Sequence, residues 1–151
     1  MNRSLPKSAD PMPGHPVYRY ERQVEWGDCD PAGIVFYPRY LAMFDANTAG
    51  LFASVGLPIP ELIRKHGIVG MPLVDVQAKF YRPSRFGDCI TIESWIEEWG
   101  RAKVIVGHRI LRDEQLAVQG REIRVWVASD PEEETRMQAR PIPQEVIDRF
   151  R

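Results

Sequence analysis

The stretch "RYLAMFDANTAGLFASVGLP", residues 39–58, has the clearest period in the chain. Tyr40, Leu41, Phe44, Thr48, Leu51, Phe52 and Val55 recur three and four apart, which makes one apolar stripe along an α-helix. Gly56 stands where a helix takes its C-terminal cap, and Pro58 prevents continuation. A second, shorter helix is expected over 59–66, ending at Gly67. Upstream, "VYRYERQVEW" (17–26) is rich in β-branched and aromatic residues and reads as a strand. Downstream the period changes to two. "IVGMPLVDVQAKFYRP" (68–83), "DCITIESWIEEW" (88–99), "AKVIVGHRILRD" (102–113) and "LAVQGREIRVWVAS" (116–129) each alternate, with a turn expected at 113–115. Strands joined by short turns pair antiparallel, and one long helix can cover one face of their sheet. The expectation is an α+β fold: a five-stranded antiparallel sheet wrapped around one long central helix.

At 151 residues the chain is expected to form one domain over 17–151. The polar, proline-rich leader 1–16 has no apolar core of a secretory signal and reads as a flexible arm. A formal net charge of -1 argues against a nucleic-acid partner, and the lack of a long uncharged apolar run argues against a membrane span. Cys29 and Cys89 are too few for a disulfide framework, which fits a reducing cytoplasm.

Between the first strand and the helix lies "GDCDPAG" (27–33), two carboxylates and a thiol bracketed by glycines. Taken singly these residues are unremarkable: Asp before Pro is a common turn residue, and free cysteine is commonly a small buried hydrophobe. No metal site is expected, because His15, His66 and His108 have no useful spacing to the aspartates. Nor does the spacing supply the base that a cysteine nucleophile needs. Asp45 sits in the apolar half of the helix, on a polar edge beside Asn47 or in a site of its own. The combination points further. Glycines let the loop approach a ligand closely, and the loop leads into a helix N-terminus, whose free N–H groups and dipole receive negative charge. A carboxylate facing such donors is suited to attack on an acyl carbonyl.

"GDCDPAGIVFYPRYLAMFD" (27–45), followed by "GLP", "GIVGMP" and "RPSRFGDCITIES", resembles the hotdog-fold acyl-CoA thioesterases, and within them the 4-hydroxybenzoyl-CoA type. The likeness runs from about residue 18 to the C-terminus, and the Asp-x-Asp-Pro-x-Gly segment is its specific part. It implies that Asp30 is the catalytic carboxylate, as nucleophile or as general base toward water. It implies that the backbone amide of Tyr37 polarises the thioester carbonyl. Asp45 matches a helix aspartate near the acyl pocket, and Met71 stands where a small hydroxyl residue is expected beside the acyl group. Arg101 and Lys103 fall where the family binds the nucleotide end of CoA, with Gly100 and Ala102 interrupting the basic run. The resemblance implies no cofactor and no metal. It also implies a homodimer or a dimer of dimers, with active sites at the dimer interface. Two other readings stand beside hydrolysis: a non-catalytic acyl-thioester binding or partner-docking protein, and a hotdog dehydratase. The latter requires a histidine paired with a carboxylate near the pocket.

Overall fold

The computed structural model describes residues 10–151, so the arm expected over 1–16 lies partly outside the described residues. The periodic stretch forms α1, Tyr37–Ser54. Pro38 occupies its first turn, where a missing N–H costs nothing and the fixed φ suits the helix. At the far end Gly56 takes φ +79°, its N–H donates to the Ala53 carbonyl at 3.0 Å, and the Leu57 N–H donates to Phe52 at 2.9 Å. These are the paired bonds of a Schellman cap. α2, Ile59–His66, ends at Gly67 with φ +62°.

Five strands, β1 (Val17–Gln23), β2 (Leu73–Phe80), β3 (Cys89–Trp99), β4 (Lys103–Arg112) and β5 (Gln115–Val125), form one antiparallel sheet in the order β1-β3-β4-β5-β2. Strand number and wrapped helix match the sequence expectation, whereas the lateral order departs from chain order. β2 pairs with β5, not with β3, and the connection 81–88 crosses the end of the sheet, its Tyr81 and Arg82 N–H groups both donating to the Ala117 carbonyl. The stretch 116–129 also divides. β5 stops at Val125, the side chain of Trp126 turns into the core at 2% exposure, and β6 (Val127–Ser129) pairs with β7 (Met137–Ala139) in a small separate sheet. A last helix, α3 (Gln144–Asp148), packs Val146 and Phe150 against the end of α1.

The core between α1 and the sheet has two apolar halves. Tyr40, Met43 and Phe44 pack with Val24, Ile90, Ile92, Ile110 and Val118 at the N-terminal end of α1. Leu51 and Phe52 pack with Val104, Val106, Trp126 and Phe150 at the other. Gly120 lets the Phe44 ring rest on β5, since a Cβ there would collide with it.

A polar layer separates the halves, built from residues that each element turns inward: Asn47 and Thr48 on α1, Ser94 on β3, His108 on β4, Glu122 and Arg124 on β5. Asn47 Nδ2 donates to Ser94 Oγ at 2.6 Å. The Ser94 hydroxyl then donates to His108 Nδ1 at 2.6 Å, which puts the ring proton on Nε2, 2.7 Å from Glu122 Oε1. Thr48 Oγ1 donates to the same oxygen at 2.5 Å, and Arg124 Nη2 to Glu122 Oε2 at 2.7 Å. Burial pushes the His108 imidazole below its ordinary value, against the pull of Glu122. Burial also opposes the Glu122 carboxylate, but the His108 hydrogen bond and the Arg124 guanidinium outweigh it and hold the carboxyl at about 2.

Both shifts make acid destabilising. A histidine lowered in the fold binds its proton more readily when unfolded, so its contribution is complete above pH 6.5 and lost as pH falls below it. The Glu122 contribution is complete above pH 4.5 and lost between there and about 2. Urea titrations should therefore show a wild-type unfolding free energy that drops between about pH 7 and about pH 5, and a shallower drop in His108→Gln. Equal slopes in the two proteins would contradict the assignment.

Candidate active site

The loop between β1 and α1 divides the work of its two aspartates. Asp28 is buried at the end of a 3-10 turn, Trp26–Asp28. Its Oδ2 accepts from the Glu25 N–H at 2.9 Å and from Arg22 Nη2 at 2.5 Å, and its carbonyl accepts the Phe36 N–H at 2.8 Å. Asp28 is thus a strut that ties the loop to β1 and to the start of α1. Among the described residues Cys29 meets a carbonyl, with Sγ 3.6 Å from Glu25 O, and no base that would make it a thiolate.

Asp30 is half-buried, at the head of a tight turn. Its Oδ1 accepts the Ala32 N–H at 2.8 Å and its carbonyl accepts the Gly33 N–H at 2.9 Å, with Gly33 at φ +80°. Such a turn needs a short carboxylate side chain at its first position and a glycine in the left-handed region. Among the described residues no donor meets Asp30 Oδ2. From the turn the chain passes Val35, whose N–H donates to Ser84 O at 2.9 Å, and enters α1 at Tyr37. The Tyr37 N–H is the first of the helix and has no acceptor among the described residues, so it adds its own dipole to that of α1. The Tyr37 ring is 59% exposed and meets Phe36 edge to face at 5.5 Å. Beneath the loop, burial pushes the Tyr40 hydroxyl up, against the opposing pull of Ser84 and Arg112. Arg85 pairs with Ile34 in an isolated bridge, and its guanidinium comes within 3.9 Å of the position a Gly33 Cβ would take. The sequence reading did not single out Arg85.

Asp45 lies eight residues beyond Tyr37, about 12 Å along the axis of α1, on the ridge that Tyr37 and Leu41 share. Its partner is protein: Arg124 Nη2 stands 2.6 Å from Asp45 Oδ1, and the Asp45 side chain is 70% exposed. Met71 packs its side chain into the core beside Leu51 and Trp126, and its carbonyl accepts from Arg124 Nη1 at 3.2 Å. Arg101 in the β3–β4 turn and Lys103 at the start of β4 are both exposed, at the opposite end of the sheet from Asp30. β4 runs from Lys103 at that end to Arg112 at the Asp30 end, a span on the order of 30 Å. The structure therefore brings Asp30 and Tyr37 to one end, joins Asp45 and Met71 through Arg124, and leaves Arg101 and Lys103 remote within one chain.

A histidine–carboxylate pair exists that sequence spacing did not reveal. His108 and Glu122 are 0% and 1% exposed, sealed inside the core, so the pair has no access to a substrate. The signal was in the alternation: the rows Val104, Val106, His108, Ile110 and Val118, Gly120, Glu122, Arg124 each place polar residues on the helix-facing side.

Residues 24–150 match the thioesterase-like superfamily. The chain is 37% identical over 134 residues to 4-hydroxybenzoyl-CoA thioesterase of Pseudomonas sp. (strain CBS-3), covering 85% of this chain and 93% of that one. It is 26% identical over 131 residues to 1,4-dihydroxy-2-naphthoyl-CoA hydrolase of Synechococcus elongatus, covering 87% and 93%. Among solved structures it is similar to an aspartate-to-asparagine mutant of 4-hydroxybenzoyl CoA thioesterase complexed with 4-hydroxybenzoyl CoA, with a TM-score of 0.81, 34% identity and coverage of 89% and 99%.

The division of labour in the loop has a measurable consequence. Asp28→Asn weakens the Arg22 bond and is expected to cost about 1–3 kcal/mol of stability, read as a lower thermal midpoint, while thioester turnover falls only modestly. Cys29→Ser should leave most turnover in place. Complete loss of turnover in a folded Cys29→Ser protein would restore a thiol mechanism.

Proposed function

The chain belongs to the thioesterase-like superfamily, and from that premise we propose that it hydrolyses an acyl-CoA with a hydroxylated aryl acyl group to the free acid and CoA. The observation behind the proposal is the turn of residues 30–33, which holds the Asp30 carboxylate by one oxygen beside the entrance of α1, where the Tyr37 N–H has no acceptor in the chain. Oxygen of water, or Asp30 itself, adds to the thioester carbon; the carbonyl oxygen takes the negative charge and is received by the Tyr37 N–H. The C–S bond then breaks, sulfur leaves as the CoA thiol with one proton, and the acid is released directly or after hydrolysis of an acyl-Asp30 anhydride. The substrates for which the two relatives are named share an aromatic ring with a hydroxyl group. A complex of an aspartate-to-asparagine mutant with 4-hydroxybenzoyl CoA is what an essential carboxylate predicts.

The site is completed, in this proposal, by a second copy of the chain. The ridge of Tyr37, Leu41 and Asp45 ends at Arg124 of β5, the neighbour of the edge strand β2, and β2 leaves Leu73, Val74 and Phe80 exposed. The other edge, β1, is blunted by exposed Arg19 and Glu21. Antiparallel pairing of two β2 strands about a two-fold axis turns the partner end for end. The partner's Arg101 and the partner's Lys103 then lie at the end of the joint sheet that holds Asp30, where they can bind CoA phosphates.

Thiol release from 4-hydroxybenzoyl-CoA tests the assignment. Asp30→Asn is nearly isosteric and should remove most turnover, on the order of 100-fold or more, with ester binding and the thermal midpoint nearly intact. Near-wild-type turnover in this variant would overturn it. Saturable ester binding without thiol release in the wild type would favour the binding-protein reading.

A further inference from the structure

A cavity of about 130 Å³ opens between β1 and α1. It lies across the helix from Asp45: two positions along a helix turn the side chain by about 200°, so Asn47 meets β1 where Asp45 meets β5. The rings of Tyr18 and Tyr20 and the side chains of Met43 and Ile92 give it apolar walls. Gly50 lets the Tyr18 ring lie directly on the helix, since a Cβ there would collide with it. Asn47 brings a polar group to the Tyr18 level of the cavity and Arg22 brings another, four residues further along β1. Asn47 is 3% exposed, and its nitrogen is committed to the core: Nδ2 donates to Ser94 Oγ at 2.6 Å, and that hydroxyl gives its own proton to His108. Oδ1 therefore points the other way. It has no donor among the described residues and, unlike Ser84 Oγ, it is not sealed from solvent, so it opens into the cavity. Arg22 donates to Asp28 through Nη2, while its Nε and Nη1 have no acceptor among the described residues.

We propose that this cavity is a second ligand site, for a small hydroxylated aromatic acid whose hydroxyl donates to Asn47 Oδ1 and whose carboxylate accepts from the free N–H groups of Arg22. The choice of acid rests on the proposed function, because it is the class of product that reaction releases; the site itself rests on the cavity and its two polar groups. An acceptor at one end, a cation at the other and aromatic walls between them match the three parts of such a molecule. The lengths agree as well. β1 advances about 13 Å from Tyr18 to Arg22, and a para-hydroxylated aryl acid with a hydrogen bond at each end spans about 12 Å. Occupancy has a consequence at the Asp30 loop. Arg22 is the side chain that ties Asp28, and with it the loop, to β1. A second carboxylate on that guanidinium weakens its hold on Asp28, so the released acid slows turnover from outside the reacting centre. The effect is partial, since the Glu25 N–H and the Phe36 N–H still hold Asp28.

The probe is 4-hydroxybenzoate, titrated into the full chain carrying 13C-labelled methionine methyls. The Met43 methyl, in the cavity wall, should shift saturably with a Kd of about 1 mM or tighter, as suits so small a ligand. Benzoate and phenol each lack one polar end and should bind at least about fivefold more weakly. No saturable Met43 shift up to about 10 mM, or equal affinity for the three probes, overturns the inference. Ala46 is exposed on α1 and lines the cavity, away from Asp30 and Tyr37. Ala46→Phe fills the space and should abolish the ligand-induced Met43 shift while leaving thiol release in the absence of acid unchanged. With 4-hydroxybenzoyl-CoA as substrate, saturating acid should lower the wild-type kcat about twofold, an effect that excess ester does not relieve and that Ala46→Phe removes. Purely competitive inhibition of the wild type overturns the inference and leaves the thioesterase reading standing. Absence of thiol release overturns the proposed function, and the Met43 titration then decides the site alone. A crystal structure of the wild type with 4-hydroxybenzoate gives a reading that needs no variant. The hydroxyl should lie within about 3.5 Å of Asn47 Oδ1, and an acid seated only elsewhere overturns the inference.

Discussion

The Glu122 carboxylate, 1% exposed at the centre of the molecule, accepts from Thr48 on α1, His108 on β4 and Arg124 on its own strand. Apolar contacts tolerate sliding, because a leucine is nearly as content one turn further along. Hydrogen bonds to a buried ion are not tolerant: removing one partner of such a pair costs about 3–5 kcal/mol. The layer therefore fixes how far α1 lies along the sheet and which face it presents. With that register set, Phe44 stacks on the His108 ring at 4.6 Å on one side and Leu51 and Phe52 fill the other half of the core.

The consequence at the helix entrance follows directly. A helix fixed in register carries Tyr37 to one defined place above the end of the sheet, and the loop before it is braced from three directions. Asp28 ties it to β1 through Arg22, Val35 to Ser84, and Ile34 to Arg85. Asp30 keeps its Oδ2 without a protein donor among the described residues and, unlike Asp28, has no arginine on its carboxylate. Rigid surroundings with one uncommitted acceptor suit a group that must meet a reacting atom in a fixed geometry.

Much of this was legible before any coordinates. The stripe from Tyr40 to Val55 and the cap at Gly56 gave the helix, because a 3.6-residue period and a left-handed cap leave direct marks in residue type. Four of the strands were equally plain from their alternation, and β1 from its β-branched and aromatic content. Alternation says which residues share a face but nothing about the neighbouring strand, so the crossing of β2 to the far side of β5 was hidden. The polar layer was missed for a different reason. Asn47 was placed on a polar edge and His108 and Glu122 were assigned no partners, because polar type alone does not announce that the partners of a buried group lie 14 to 74 residues away. Asp45 was the instructive intermediate, because its need for a partner could be stated from sequence but the identity of Arg124 could not. The remote position of Arg101 and Lys103 likewise depends on sheet geometry, which residue type does not encode.

The separation of Asp30 from Arg101 and Lys103 permits the most direct test of the site as a whole. Chains carrying Asp30→Asn are co-expressed with chains carrying Arg101→Ala and Lys103→Ala, and thiol release is measured on the mixed assemblies purified by two different affinity tags. A site shared between copies predicts that the mixture recovers turnover well above either parent, because one of its interfaces unites an intact Asp30 with an intact basic pair. Turnover no higher than in the parents would contradict a shared site.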